Sequence, residues 1–393
     1  MKVESPEVRK IVLISFAHLV NDWYMNYIQT LLPFLVMAGL GVAKGAFLIS
    51  AFTITSSLLQ PFFGYLVDQK NMRWLVFVGT VWMSIFLCLV GLLKNYPLLL
   101  IISALAGLGT AAFHPQASAM VTLLSGHKKG FFQACFIAAG NIGWALTPLM
   151  VMPFVQTYGL AMTPVFVIPG AIVAVLLWFY APRGISATRT PAQSLKLIFS
   201  GSGLELTKVI AVVALRSVSY FGLIAFLPFY LLQTAHISLL DGSRLLFVML
   251  FSAAIGGVIG GYLADRFNGK LVLVATLIIA SPMFYLFLHT NGLLSYIWLA
   301  VAGATLQASS SVTVVLAQEI IHRNEAMASG LILGFGVGMG GLGVGLLGLV
   351  AEYLKMADVV SLLIWLPLLA GLLGLLLKRS KAVLSTGSGI SNL

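Results

Sequence analysis

Hydrophobic residues run along this chain in long blocks that are separated by short polar connections. A helix needs about 20 apolar residues to cross the hydrocarbon core of a bilayer, and each block is about that long. The strands of membrane β-barrels are only about 10 residues long, so these blocks indicate helices. We predict twelve membrane spans, numbered 1 to 12 along the chain, at 11–38, 45–67, 74–93, 97–124, 130–153, 163–181, 208–233, 245–264, 270–289, 292–318, 326–351 and 358–377.

The composition supports this prediction, because only 8% of the 393 residues are charged, 60% are hydrophobic and the mean hydropathy is +1.04. A soluble domain carries about 25% charged residues, since its surface must face water. We therefore predict an all-α protein that is embedded in the lipid bilayer. The basic start of the chain is typical of a signal peptide. Span 1 is too long for one and contains His18 and Asp22, so we interpret it as a retained span.

The net charge of +11 is distributed unevenly between the two sides of the predicted spans. If the N-terminus is cytoplasmic, 17 of the 22 Lys and Arg residues lie on the cytoplasmic side, four lie in the opposite loops, and Arg216 lies within span 7. This asymmetry follows the positive-inside rule. The basic charge therefore orients a multi-pass protein of the cell (inner) membrane, with both termini in the cytoplasm, and does not indicate nucleic-acid binding.

The two halves of the chain repeat one another at an offset of 195 to 197 residues. Parallel six-span repeats, packed about an axis along the membrane normal, are typical of alternating-access transporters. We predict an N-terminal six-helix bundle at 1–181, a cytoplasmic linker at 182–207, and a C-terminal six-helix bundle with a short cytoplasmic tail at 208–393. The matching pairs are GYLVD (64–68) with GYLAD (261–265), Pro33–Phe34 with Pro228–Phe229, and Ala106–Gly107 with Ala302–Gly303.

GYLVD and GYLAD, with the basic residues that follow them, resemble the loop signature of the major facilitator superfamily. Gly64 and Gly261 allow close helix contact. Asp68 and Asp265 lie at cytoplasmic helix ends, where they can accept hydrogen bonds from the positive N-terminus of a neighbouring helix. In that superfamily this contact closes the cytoplasmic side, and we predict that Asp68 faces the start of span 11 and Asp265 the start of span 5. The predicted gating residues are Gly64, Asp68, Arg73, Gly261, Asp265 and Arg266.

Ionisable side chains are rare inside the predicted spans. Burying one in hydrocarbon costs several kcal/mol, so each is a functional candidate. Span 1 carries His18 and Asp22, span 4 carries His114, and span 7 carries Arg216. At about 1.5 Å per residue, His18, His114 and Arg216 lie roughly 10–15 Å from the cytoplasmic interface, with Asp22 near the middle of the membrane. The four side chains could therefore share one cavity.

A structural interpretation stays open for each of these residues. His18 could only support Asp22, one turn away, and Asp22 itself could be a polar group of the packing. His114 could be a satisfied core histidine, and Arg216 could pair with Asp22. Against this, His114 corresponds to Ser310 at the repeat offset of 196 residues, and a histidine needed only for the fold would be expected in both halves. This difference favours a role of His114 toward ligand or proton.

Three segments resemble the fosmidomycin resistance protein family, bacterial exporters within the major facilitator superfamily: FAHLVNDWYMNYIQTLLPFL, SSLLQPFFGYLVD and GLGTAAFHPQAS. They share its His and Asp four residues apart in span 1, its Gln-Pro before the Gly…Asp loop, and its Phe-His-Pro in span 4. The match is specific in the first six spans. The resemblance implies proton-driven efflux of small, often anionic or amphipathic compounds. Ser103 stands where many drug antiporters of the superfamily carry an arginine, so the resemblance implies that His114 or the His18–Asp22 pair couples transport to protons.

We predict proton-coupled antiport from these residues. Burial raises the pKa of a carboxyl group and lowers that of an imidazole, which moves both toward physiological pH. Asp22 or His114 would accept a proton from outside, release the substrate, and lose the proton inside, with His18 as the third candidate. Pro115 would leave the carbonyl near Ala111 without its hydrogen bond and loosen the helix around His114.

The substrate site is predicted from a fixed charge and neutral polar groups. The Arg216 guanidinium suits a carboxylate, phosphate or phosphonate. The helical period places Asn26 and Gln29 within about 80° of arc of His18 and Asp22, on one inward-facing stripe of span 1. The predicted substrate-binding residues are Arg216, Asn26, Gln29, Asn141, Tyr220 and Gln307.

Two other classes of protein could carry such residues. An uptake symporter could use the same residues, and the sequence does not give the direction of transport. A membrane enzyme or receptor would need a sizeable soluble domain or a catalytic cluster, and the longest loop has about 26 residues. We therefore expect a monomeric transporter whose partners are protons and a small-molecule substrate, with no enzymatic activity, no cofactor and no metal site.

Overall fold

The computed structural model describes residues 7–69, 72–126, 129–181, 203–320 and 325–378, and every regular element in these ranges is helical. The elements of the first half are α1 (Val8–Met25), α2 (Tyr27–Met37), α3 (Val42–Leu58), α4 (Gln60–Gln69), α5 (Trp74–Leu89), α6 (Tyr96–Leu124), α7 (Lys129–Tyr158), a 3-10 helix (Leu160–Phe166) and α8 (Val167–Tyr180). Those of the second half are α9 (Gly203–Gln233), α10 (Leu239–Arg266), α11 (Gly269–Leu288), α12 (Leu293–Ile320), α13 (Glu325–Val350) and α14 (Met356–Gly374).

These helices account for the twelve predicted spans. Nine helical segments in the described part of the chain are long and apolar enough to cross a membrane. Two shorter apolar helices, Trp74–Leu89 and Gly334–Val350, lie at predicted spans 3 and 11. Helices α1 and α2 together cover predicted span 1. The predicted all-α architecture of two six-span halves is therefore confirmed.

Proline affects the predicted spans unequally. Span 2 is divided into α3 and α4 at Leu59, and Pro61 lacks the N–H that would bond the carbonyl of Ser57. Span 1 is divided at Asn26. In contrast, α6 runs without interruption through Pro115. The loosening that we expected around Pro115 therefore does not break the helix that carries His114.

The most extensive contacts between the two halves are made by two helix pairs that the repeat relates to one another, α3 with α13 and α7 with α10. These pairs correspond to span 2 with span 11 and span 5 with span 8. Of the predicted linker at 182–207, residues 182–202 lie outside the described part of the chain, and α9 already begins at Gly203.

Glycines of α13 allow its close contact with α3. A Cβ atom on Gly345 would lie 2.4 Å from the Ser50 hydroxyl oxygen, and one on Gly348 would lie 2.3 Å from the Cβ of Ala46. The Ser50 hydroxyl also donates a hydrogen bond of 2.6 Å to the carbonyl of Gly341. Any larger residue at Gly345 or Gly348 would push the two halves apart, so the glycine-rich sequence of span 11 serves the interface between them.

Candidate functional site

Three titratable side chains meet at the centre of the first half. We call His18, Asp22 and His114 the His–Asp cluster. His18 and Asp22 lie one turn apart on α1, and His114 comes from α6. The Nε2 atom of His114 lies 2.9 Å from Oδ1 of Asp22, and the Nε2 atom of His18 lies 3.3 Å from Oδ2. The structure thus brings together all three residues that the sequence predicted for proton coupling, although their role stays a prediction.

Backbone carbonyls fix the tautomer of both histidines. Nδ1 of His18 lies 2.7 Å from the carbonyl oxygen of Phe136, and Nδ1 of His114 lies 3.0 Å from that of Thr110. A carbonyl oxygen can only accept, so each Nδ1 carries a hydrogen and donates it. Both Nε2 atoms are therefore left to face the carboxylate of Asp22. Any further proton in the cluster lies between Nε2 and a carboxylate oxygen.

The two histidines differ in their surroundings. The His18 ring stacks on Phe136 with centroids 3.9 Å apart and planes 10° apart, and its side chain is 6% exposed. The His114 side chain is 19% exposed. His18 is thus held rigidly in the packing, whereas His114 borders more open space. We expect His114 to exchange protons more readily than His18.

The backbone of α7 covers the cluster closely. A Cβ atom on Gly140 would lie 2.4 Å from Oδ2 of Asp22 and 2.5 Å from Cε1 of His18. A Cβ on Gly143 would lie 1.9 Å from the carbonyl oxygen of Leu19. The two glycines belong to the segment GNIG at 140–143, and their lack of a side chain permits this close approach. Helix α7 also packs on α10 of the second half, so the helix that covers the cluster belongs to the interface between the halves.

The cluster also has the composition of a metal site. One ligand atom from each of its three residues can be chosen so that all lie within 4.8 Å of one another. Two imidazoles and a carboxylate suit several transition metals. The direct contact of 2.9 Å between Nε2 of His114 and Asp22 is, however, that of a hydrogen bond. The geometry of the three residues therefore suits a shared proton as well as a metal ion.

Arg216 forms a second, separate polar centre on α9. Its Nη1 donates 2.6 Å to Oε1 of Gln307 on α12, and its Nη2 donates 3.2 Å to the hydroxyl of Ser217. The residue is 8% exposed, and its Nε atom is buried without a hydrogen-bond partner among the described residues. No ion pair of Arg216 occurs within the described ranges. The carboxylate of Asp22 contacts two histidines instead, so the two residues do not form the structural pair that the sequence left open.

The other predicted substrate residues take different positions. Asn26 donates 3.1 Å to the carbonyl of Trp144, while its Oδ1 is buried without a partner. Gln29 is buried, and its Oε1 has no partner among the described residues. Tyr220 is buried one turn from Arg216, and Asn141 is half-buried next to Gly140.

Sequence reasoning missed Trp144, because a backbone carbonyl carries no signal in the sequence. Its ring meets Phe221 of the second half in an edge contact with centroids 5.9 Å apart. Phe136 was missed for the same reason, since it binds His18 through its carbonyl as well as its ring. Both are ordinary apolar residues of a span until the partner helix is known.

The predicted gating residues are only partly described. The side chains of Asp68 and Asp265 lie outside the part that the structure describes. A Cβ on Gly64 would lie 3.7 Å from Pro115, and one on Gly261 would lie 3.5 Å from Ser311, which are ordinary contact distances. The basic members make contacts within their own half: Arg73 donates 2.6 Å to the carbonyl of Trp178, and Arg266 donates 3.0 Å to the hydroxyl of Tyr262. The gating assignment stays a prediction.

Comparison with known proteins gives one consistent result. A family model described as Major Facilitator Superfamily matches residues 14–345. The fosmidomycin resistance protein of Escherichia coli (strain K12) is 30% identical over 367 residues, covering 91% of this chain and 89% of that protein. An uncharacterized MFS-type transporter of Bacillus subtilis (strain 168), YfnC, is 28% identical over 380 residues, covering 93% and 92%. A bacterial homolog of the human lysosomal transporter Spinster, solved inward-facing and occupied, matches 95% of each chain with a TM-score of 0.73 at 15% identity.

A twelve-span helical membrane protein with two repeated halves and polar centres buried between its helices is a transporter by architecture. The chain belongs to the Major Facilitator Superfamily. The predicted resemblance to the fosmidomycin resistance protein is confirmed over most of both chains. The likeness to the Spinster homolog shows the shared fold alone.

Proposed function

We propose that this transporter is a proton-coupled antiporter that exports small anionic or amphipathic compounds by alternating access. The observation that carries the proposal is the carboxylate of Asp22 between two Nε2 atoms, 3.3 Å from His18 and 2.9 Å from His114. This arrangement can gain or lose a proton while its partners stay in place. Burying ionisable groups within a span costs several kcal/mol, so a cluster of this kind is a functional candidate.

The hydrogen-bond pattern limits the number of protons that the His–Asp cluster exchanges. With two protons between Nε2 atoms and carboxylate, both imidazoles are charged and the cluster is positive. With one, it is neutral. With none, the Asp22 carboxylate would face two nitrogen lone pairs in a buried site, which is unfavourable. The exchange that the geometry favours is therefore between two protons and one.

Arg216 supplies the anion site in this proposal. A buried guanidinium without a carboxylate partner is costly, and an anionic group of a substrate would compensate its charge. Its Nε hydrogen and the neighbouring free Nη hydrogen suit a bidentate oxyanion such as a carboxylate or phosphonate. Gln307 orients the guanidinium by accepting from Nη1. Asn26, Gln29, Asn141 and Tyr220 are further hydrogen-bonding groups for the rest of the substrate.

Antiport requires that proton and substrate compete. An N–H or O–H group of the substrate that donates to Asp22 would replace the proton shared with His114, and this supplies the competition. The name of the Escherichia coli relative supports outward transport, because a resistance protein protects a cell when it removes the drug. We place the protein in the inner membrane with both termini on the cytoplasmic side, and we expect it to function as a monomer.

Purified protein in proteoliposomes tests this function. The vesicles are made acidic inside, and fosmidomycin and small carboxylates are offered outside as probes. Antiport predicts that at least one probe accumulates inside while the luminal pH rises, and that a protonophore abolishes both effects. Symport predicts that the acid interior drives the probe out. If the uptake of every transported probe is the same with and without a pH gradient, the protein does not couple transport to protons.

A further inference from the structure

Three polar residues lie three or four positions along their helices from the residues that form or bind the His–Asp cluster, and the sequence singled out none of them. They are Ser15, Ser118 and Gln133, which we call the polar layer. Its residues come from α1, α6 and α7, the same three helices that hold the cluster. Ser15 precedes His18 by three residues, Ser118 follows His114 by four, and Gln133 precedes by three residues the Phe136 whose carbonyl binds His18.

Helix directions place all three members on the same side of the cluster. Helices α1 and α7 run parallel, because His18 bonds Phe136 and Asn26 bonds Trp144 further along both helices. Helix α6 runs the opposite way, since the N–H of Glu7 bonds the carbonyl of Leu124. Three to four residues correspond to about 5–6 Å along a helix. The polar layer therefore lies between the cluster and the membrane face that carries the N-terminus.

The polar layer has hydrogen-bonding capacity that the protein itself does not use. Nε2 of Gln133 donates 2.8 Å to the hydroxyl oxygen of Ser118. Oε1 of Gln133 and the hydroxyl oxygen of Ser15 are both buried and have no partner among the described residues. Buried polar atoms of this kind are usually bridged by ordered water, which makes about three hydrogen bonds in such sites.

We propose that Ser15, Ser118 and Gln133 hold a short water-filled path through which protons pass between the His–Asp cluster and the cytoplasmic face. The inference rests on the proposed function, which needs such a path for proton release. A proton leaves Nε2 of His114 for the nearest water, and that water passes one of its own protons onward. Each carrier in the path regains its original composition, and the cluster ends with one proton fewer. Gln133 acts by positioning water and does not carry the proton.

Two variants each remove one polar side chain of the layer with little change in shape, Gln133→Leu and Ser118→Ala. We expect Gln133→Leu and Ser118→Ala to lower the rate of pH-driven uptake by about tenfold or more, because each variant removes a group that positions the water through which the proton passes. The affinity for the transported probe should stay unchanged, since no member of the polar layer belongs to the proposed substrate site. The solvent deuterium isotope effect on uptake should increase in both variants.

Ser125→Ala is the matched control. Ser125 is fully buried and directly follows α6, the helix that carries Ser118. Its hydroxyl donates a hydrogen bond to the carbonyl of Val121 and takes no part in the polar layer. Its uptake rate should equal that of the unmodified protein. Ser118→Thr, which keeps a hydroxyl, should restore most of the rate lost in Ser118→Ala. If Gln133→Leu does not fold, the Ser118 pair carries the test alone.

The outcomes separate the polar layer from the proposed function. If the unmodified protein moves no protons, the proposed function fails. If it couples uptake to protons, and Gln133→Leu and Ser118→Ala keep the full rate and isotope effect, the proton path is wrong and the proposed function stands. Loss of probe affinity in Ser118→Ala, without a change in proton rate, would instead place the polar layer in the substrate site.

Discussion

The two halves of this transporter place different chemistry on one repeated framework. Spans 2 and 4 approach each other at Gly64 and Pro115, and spans 8 and 10 do so at the corresponding Gly261 and Ser311. A Cβ atom placed on the glycine would lie 3.7 Å from Pro115 in the first half and 3.5 Å from Ser311 in the second. The ionisable groups do not repeat in this way. Asp22 corresponds to Ser217 at the repeat offset of 195 residues. The first half thus carries a cluster whose charge can change, and the second half carries a cation whose charge is fixed.

In the function that we propose, this difference separates the two tasks of coupled transport, which are the response to protons and the binding of an anion. A titratable His–Asp cluster can respond to the proton gradient, but a site that changes its charge is a poor permanent anchor. Arg216 stays charged at all physiological pH values and can hold an anion throughout the cycle. Its position corresponds to Asn21 of the first half, which is also fully buried. The repeat therefore supplies equivalent buried positions, which carry different side chains in the two halves.

The largest effect is expected from Asp22→Asn, which removes the carboxylate that shares a proton with both histidines of the first half. The amide cannot exchange the shared proton, so pH-driven accumulation of a probe should fall to the level of protein-free vesicles. Exchange of labelled for unlabelled probe across the membrane, without a pH gradient, should persist. Exchange is the control for folding, and pH-driven accumulation in this variant would contradict the role given to Asp22.

Arg216→Gln removes the fixed charge of the second half. Hydrogen bonds to charged groups contribute about 1.5–3 kcal/mol, so the affinity for anionic probes should fall by about tenfold to a hundredfold. Neutral probes should be affected less. Arg244→Gln is the control, because Arg244 is exposed and its Nη1 pairs at 2.8 Å with Asp241. Equal losses for neutral and anionic probes, measured as binding to purified protein, would argue against an anion site at Arg216.

Gly140→Ala tests the close approach of α7 to the cluster. The new Cβ would overlap Oδ2 of Asp22 at 2.4 Å and force α7 away from α1. Overpacking of this kind costs about 1–3 kcal/mol, so the thermal unfolding temperature should fall. Gly257→Ala is the matched control, since its nearest atoms would lie 3.9 Å away. Equal unfolding temperatures for the two variants would show that the approach is not as tight as described.

The smallest effect is expected from His18→Gln, because the amide can still donate to Asp22. One hydrogen bond contributes about 0.5–1.5 kcal/mol, so uptake should slow by about threefold to tenfold while pH-driven accumulation persists.

His114→Gln, by comparison, should abolish the coupling to protons. The exposed His289, whose Nδ1 bonds the carbonyl of Tyr285, provides the control variant His289→Gln. A reversal of the His18 and His114 results would move the proton carrier to His18.

The fold could be predicted from the sequence for two reasons. The length of the apolar blocks matches the thickness of a bilayer and gives the number of helical spans, and the repeat shows that these spans form two halves of six. It also identified His18, Asp22 and His114, because ionisable residues stand out in hydrocarbon. Their contact could be expected from similar depth in the membrane, but the choice of partner could not. Depth equally allowed an ion pair between Asp22 and Arg216, and only the packing of α1 on α6 and α7 decides against it.

Other features depend on groups that a sequence does not display. The carbonyls of Phe136 and Thr110 fix the histidine tautomers, and any residue at those positions would supply them. The polar layer was missed because serine and glutamine in a span are common and its members come from three helices. Gln133 and Ser118 become neighbours only through the opposite directions of α6 and α7.

Calorimetric titration of a transported anionic probe, repeated in two buffers of different ionisation enthalpy, tests the central claim most directly. It counts the protons that leave or enter the protein when the substrate binds. The account predicts the release of about one proton for each anion bound, by linkage between the two sites, and no release in Asp22→Asn. Binding without proton release in the unmodified protein, or with proton uptake, would contradict competition between proton and substrate at the His–Asp cluster.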